Sequence, residues 1–410
     1  MSVRPIQSGQ SKQLDKLFHN TVLPLLYFQR IFGHVHVSGK PGKQFYPSKS
    51  WRVYSVLLNV ILLVSVVVQI LAYLSDLQEF SAKRGVFVAF SVTAGYGAGP
   101  LLRVTAVLLS AGVTGRKIGS VLNSLQSVSD VMAVESAAFA TRMRRFRRLS
   151  IVLLLLLLLL TAGETALRAM QPQERCPMVA NVRHCGWHLL LSPGRFIMSV
   201  SYVMVPGQLL LLSLVCAACL RCLDDQVRCL RPEQARLAEH LRHLRAQHQL
   251  LVDAHRQLTA ASRAALVFAM TAGIFAQITG SCLMSWGLVD ALVGSGRLLV
   301  LALLRLALHV LAAVVVLVAP AEAGQQCLQP LGDTQRHLLR LETRPADPAD
   351  QQRRLYLAEL THDLESVGDL GLFRLRRSLV LAVANITFTS IMIMSQFQQA
   401  QEAACPASSG

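Results

Sequence analysis

The chain has 410 residues, 53% of them hydrophobic and only 15% charged, with a net charge of +17. Soluble domains carry about a quarter charged residues, so the deficit points to long stretches from which charge is excluded, as a bilayer core demands. The Lys and Arg residues fall mostly between apolar runs with no basic–aromatic surface, which argues against nucleic acid as a partner.

Residues 1–51 are polar to amphipathic, with no early apolar run before a small-residue cleavage site. The first spanning helix is therefore expected to act as its own signal. Within this segment Val22–Phe32, carrying Leu25, Leu26, Phe28 and Ile31, is too short to span and predicts an interfacial helix. Seven later segments can each hold about 20 residues in hydrocarbon. They lie near Val53–Leu74, Val86–Leu109, Leu149–Leu167, Phe196–Leu220, Ala264–Leu288, Leu298–Val318 and Leu379–Phe397. In the second, Gly95, Gly97, Gly99 and Pro100 favour close contact and a kink. The third holds the leucine run Leu153–Leu160.

The connections carry the orientation. The N-terminus and the second, fourth and sixth connections together hold 31 of the 40 Lys and Arg. The side richer in Lys and Arg is cytosolic. The expected fold is an all-α membrane protein of seven transmembrane helices, N-terminus cytosolic and C-terminus extracellular, with cytosolic helical extensions. The expected organisation is a cytosolic segment 1–51, transmembrane helices 1–4 in 52–220, a cytosolic helical connection 221–262, and helices 5–6 in 263–320. A cytosolic helical region 321–374, the last transmembrane helix 375–397 and a short extracellular tail 398–410 complete it.

In the fourth connection Leu237, Leu241, Leu244, His248, Leu251, His255 and Leu258 form a heptad seam. Subunit assembly and packing within the chain explain it equally. Stretch 322–374, broken at Pro345 and Pro348, predicts two further cytosolic helices. Cys176 and Cys185 share the third, outer loop, where a disulfide can form. Cys216, Cys219, Cys222 and Cys229 crowd the inner end of the fourth helix without a second pair to complete a metal site, so buried thiols are expected. His240 and His243 are expected on a solvated face. The sequon Asn385-Ile-Thr387 lies inside the last helix and should be unused. With no Walker loop, dinucleotide fingerprint or metalloprotease helix motif, an enzymatic reading, a metal and a cofactor have no support.

Polar groups inside spanning helices are costly and mark function or pairing. Tyr96, Glu164, Tyr202, Gln277, Arg305 and His309 fall at mid or outer depth, with Trp286 and Asp290 near an outer end. One reading gathers them into a ligand pocket. The other makes Glu164–Arg305 a structural ion pair and Trp286 an interfacial anchor.

The C-terminal stretch Gly371-Leu-Phe-Arg-Leu-Arg-Arg-Ser-Leu379, followed by an apolar helix, leads to Thr389, Ser390, the spacer Ile391–Ser395, Gln396 and Phe397. This resembles the insect and arthropod gustatory receptor family, whose hallmark is Thr-Tyr, five mostly apolar residues and Gln-Phe. Here Ser390 stands in the tyrosine position. Pro24–Gly33 is similar to the family's opening segment. The resemblance implies a ligand-gated, non-selective cation channel in the plasma membrane. It also implies four copies, identical or mixed with relatives, around a pore lined by the last helix. Thr389, Ser390, Gln396 and Phe397 would then form the pore and gate, Phe397 blocking ions by dewetting. Read without the resemblance, Phe397 is an interfacial anchor. The implied partners are membrane lipid and a small-molecule tastant, sugar or bitter. The alternatives are a receptor signalling through a G-protein, which the charge distribution opposes, and a family member with a non-sensory role.

Overall fold

The computed structural model describes residues 17–40, 43–84, 98–135, 137–169, 192–232, 236–293, 296–345, 347–370 and 374–404. The architecture is all-α apart from a two-residue antiparallel ribbon. In chain order the elements are α1 (Leu17–Ile31), β1 (Val37–Ser38), β2 (Tyr46–Pro47), α2 (Lys49–Arg84) and α3 (Gly99–Leu109). After a π-helical turn at Ser110–Thr114 come α4 (Gly115–Glu135), α5 (Ala137–Ala169), α6 (Ser192–Arg228), α7 (Leu237–Val293), α8 (Gly296–Arg340), α9 (Pro348–Ser366) and α10 (Arg377–Ala404).

Among the described residues, four helices are long and apolar enough to cross a membrane: Lys49–Leu71, Phe139–Ala166, Pro193–Arg228 and Leu237–Ile278. Their burial separates two roles. In α2 the outward residues Val53, Val56, Leu57, Val60, Ile61 and Val64 are exposed, so this helix needs an apolar solvent. α6 is buried over 83% of its apolar window. It is the central post, packed against α3, α5, α7 and α8.

The heptad seam of α7 is closed within the chain. All seven of its residues are buried. α7 packs there against α6, α8 and α9, with Ser213 on α6 paired to His255 at 3.2 Å. The Cys216 thiol faces the Leu251 carbonyl at 3.6 Å. Cys216, Cys219 and Cys222 are buried as expected, and Cys327 of α8 joins them, its thiol 3.4 Å from the Ser213 carbonyl. Cys229, expected with them, is exposed, because it lies just past the end of α6. Among the described residues no cluster of His, Cys, Asp or Glu could hold a metal ion.

Where the sequence predicts two separate helices over 322–374, the first is the continuation of the sixth membrane helix. α8 runs unbroken through Pro320 and Pro330. In a 45-residue helix the two prolines remove few of the backbone hydrogen bonds, so the remaining ladder carries the helix through them. α9 starts at Pro348, with the Asp347 carboxylate accepting from the Ala349 amide at 3.0 Å as N-cap. At its far end Gly368 takes φ 80°, and the turn brings Leu375 onto α8. There Gly324 lies so close that a Cβ would overlap the Leu375 carbonyl oxygen.

The N-terminal block docks by polar contacts. The Arg30 guanidinium donates to the Val37 carbonyl at 2.7 Å, and Asn123 of α4 bonds both the Phe45 amide and carbonyl. His34 is buried with Nδ1 3.2 Å from Ser110 Oγ. Burial above all, reinforced by His36, lowers its pKa from 6.5 to about 4. The unfolded chain therefore takes up this proton first as pH falls. Stability present above pH 6.5 is lost progressively between 6.5 and 4, by up to about 3 kcal/mol. His34→Gln should flatten the unfolding midpoint against pH over that window.

Candidate functional site

Five helices converge on one small cavity. α3 contributes Arg103, α5 Thr161 and Glu164, α6 Ser199, Tyr202 and Val203, α7 Gly273 and Ala276, and α8 Ala312. The spacings explain the convergence. Thr161 and Glu164 are three apart, Ser199 is three and four from Tyr202 and Val203, and Gly273 is three from Ala276. Each set shares one helix face. The small residues of α7 leave room, and Tyr202 fills it. Its hydroxyl donates to the Ala269 carbonyl at 2.7 Å. A Cβ on Gly273 would stand 3.3 Å from that oxygen. The Arg103 guanidinium lies 5.1 Å from the Tyr202 ring centroid, a cation–π distance.

The cavity measures about 20 Å³, room for roughly one water. A ligand of several heavy atoms enters only if Arg103 or Tyr202 swings aside. The lining is polar for a bilayer interior. Glu164 and Tyr202 are buried, and among the described residues the Arg103 Nε has no hydrogen-bond partner. Tyr202→Phe removes one hydrogen bond, worth about 0.5–1.5 kcal/mol, and frees the ring to move. The expected result is a slightly lower unfolding midpoint with a changed ligand dose–response, read in the same preparation.

Of the pocket residues predicted from sequence, Glu164 and Tyr202 line this cavity. Gln277 follows Ala276, half-buried, its Oε1 without a partner among the described residues. Tyr96, Cys176 and Cys185 lie outside the described residues, as do the side chains of Trp286, Asp290, Arg305, His309, Ser390 and Phe397. Arg103 is the residue the sequence reading passed over. Its signal was present, a charge inside an apolar segment, but nothing local showed which helix it faces.

The second candidate surface is α10. Leu379 and Val383 pack on Met270, Ile274 and Leu317 of α7 and α8. A second face, about 120° around the helix from the packed one, is exposed and carries Ser378, Asn385, Thr389 and Gln396. Gaps of seven, four and seven keep these four in one stripe. Ser390 and Phe397, one position further on, fall about 100° around the helix. Polar groups do not face hydrocarbon cheaply, so the stripe fits water or another protein surface. Its flanks, Leu381, Ile386 and Phe388, are apolar and exposed.

A cavity lined by Arg103 and Glu164 within an apolar helical bundle, beside a striped terminal helix, fits an all-α membrane protein. The family model described as 7tm Chemosensory receptor matches residues 22–401, and the chain belongs to that family. No curated protein sequence matches it. Among solved structures it is similar to the insect olfactory receptor OR5 from Machilis hrabei, solved in complex with eugenol. The identity is 12% and the TM-score 0.65, over 93% of this chain and 100% of that one. At that identity the likeness is one of fold.

Proposed function

We propose that this chemosensory receptor is a ligand-gated, non-selective cation channel of the plasma membrane, responding to small-molecule tastants. The observation that carries the reading is the polar stripe Ser378–Asn385–Thr389–Gln396 on the face of α10 turned away from its own chain. Four copies, or a mixture with related subunits, would bring four such stripes around a water-filled path. Uncharged polar groups there suit weak selectivity among cations. In the closed state Phe397 would supply the apolar constriction, and rotation of α10 by about 100° would replace its ring with Gln396. The N-terminus would face the cytosol.

The cavity among α3, α5, α6, α7 and α8 serves as the ligand site. A ligand that displaces the Arg103–Tyr202 stack in one state more favourably than in the other shifts the gate. The eugenol complex of the structural neighbour favours a second reading, an odorant rather than a tastant. Both readings use the same pocket and pore.

The test is whole-cell current in transfected cells carrying a C-terminal extracellular tag, with sugars, bitter compounds and eugenol as ligands. Gln396→Leu should change conductance or selectivity with little effect on ligand sensitivity. Arg103→Met should weaken sensitivity by about tenfold or more with the permeation properties unchanged. A tag visible only after permeabilisation would overturn the orientation. Ligand-evoked currents indifferent to Gln396 would overturn the pore assignment.

A further inference from the structure

A second charged surface lies around the N-terminal block, away from both sites described above. His36 is its hub. The Ser48 amide donates to the His36 carbonyl at 2.6 Å, and Arg52 stands one turn beyond Ser48, at the start of α2. On the other side a Cβ on Gly115 would sit 2.9 Å from His36 Nε2, which brings the start of α4 and Arg116 to the same ring, with Lys117 next along the helix. Burial first, then the charges of Arg52 and Arg116, lower the His36 pKa. Both guanidinium groups therefore gather about one side chain. Lys49 follows Ser48, Lys40 and Lys43 sit at the turn of the same ribbon, the Lys43 amide donating to the Lys40 carbonyl at 3.0 Å, and all six of these cations are exposed.

Neither segment that carries them supplies an opposite charge. No Asp or Glu occurs between residues 17 and 75, nor between 98 and 129. Among the described residues none of the six makes an ion pair. The cluster also meets the lipid-facing surface. Val53, Val56 and Leu57 lie exposed directly beyond Arg52, and Val113 directly before Arg116. Tyr46 on β2 and Tyr54 beside Arg52 on α2 are exposed, and Trp51 stacks edge-on to Tyr54 at 5.7 Å. Aromatic rings mark the headgroup depth of a membrane.

We infer that this basic cluster between β2, the start of α2 and the start of α4 binds the polyphosphorylated headgroup of an anionic membrane lipid, a phosphoinositide. Six cations without an ion pair among the described residues favour a headgroup bearing several phosphates over a zwitterionic or singly charged one. The exposed valines and leucine beside them accept the acyl chains, so the ligand is the lipid and not a free inositol phosphate. Arg52 and Arg116, one on each wall, would clamp phosphate oxygens from two sides.

The test uses the purified full-length protein in neutral-lipid nanodiscs, titrated with a fluorescent bisphosphorylated phosphoinositide. An Arg52→Gln/Arg116→Gln double variant should bind about thirtyfold more weakly, and Arg340→Gln, a remote exposed charge of α8, should bind as the parent does. If the double variant loses its monodisperse elution, Lys49→Gln/Lys117→Gln, both exposed, replaces it with the same expectation. Unchanged affinity in the folded variant overturns the site. Equal affinity for phosphatidylserine overturns the headgroup assignment, and equal affinity for soluble inositol trisphosphate overturns the lipid. The assay needs no taste ligand and no current, so its outcome is separate from that of the channel reading.

Discussion

Asp363→Ala should lower stability by about 3–5 kcal/mol, seen as a large drop in the unfolding midpoint of the detergent-solubilised protein. Asp363 is buried on α9. It accepts from His248 Nε2 at 2.9 Å and from Arg256 Nη2 at 2.7 Å, both on α7. Arg256 also donates to Ser366 at 2.6 Å, and Tyr356 packs edge-on against His248 at 5.2 Å. Removing the carboxylate leaves the buried His248 imidazole without its partner, while the Arg256 guanidinium keeps Ser366 and Asp253, the latter at 3.7 Å. Asp363→Asn keeps the shape and one acceptor oxygen, so its loss should be clearly smaller. Asp333 gives the contrast. It pairs with Arg336, which is 67% exposed, and Asp333→Ala should change stability by no more than about 1 kcal/mol. Equal midpoints for Asp363→Ala and the parent would show that this network does not tie α9 to α7.

The next largest effect is expected at Gly324. An added Cβ would meet the Leu375 carbonyl, which is backbone and cannot rotate away. Leu375 is itself fully buried, and its amide is held by the Gly368 carbonyl at 2.7 Å. The elbow that launches α10 is thus pinned to α8 from two sides, with Arg377 and Glu322 paired alongside at 3.2 Å. Gly324→Ala must push the elbow off α8, at about 1–3 kcal/mol for the overpacking. Since α10 starts two residues later, ligand-evoked current should fall with it. Gly332→Ala is the control. It lies in the same helix with nothing within 4 Å of a new Cβ, so it should be neutral or stabilising by up to about 1 kcal/mol. A Gly324→Ala protein with the parent's midpoint and current would refute the close docking.

Much of the second surface was readable in one dimension. The stripe through Thr389 and Gln396 depends only on residue spacing along α10, and spacing is a property of the sequence. The pocket was half readable. Glu164 and Tyr202 announced themselves as polar groups in apolar helices, but so did Arg103, and its meeting with Tyr202 bridges about a hundred positions of chain. The pairing expected for Glu164 was Arg305, whose side chain lies outside the described residues.

The sequence by itself determined that this is an all-α membrane protein, because long charge-free runs have one stable solution in lipid, the hydrogen-bonded helix. It also determined the faces: the seam of α7, the stripe of α10 and the amphipathic run of α1. The tertiary structure alone decided what each face meets. The seam closes on α6, α8 and α9 of its own chain rather than being left for another subunit, α8 continues through two prolines, and Arg103 joins the cavity. Periodicity states which side of a helix is apolar or polar. It carries no information about the partner, which is chosen by packing between segments that the chain brings together only on folding.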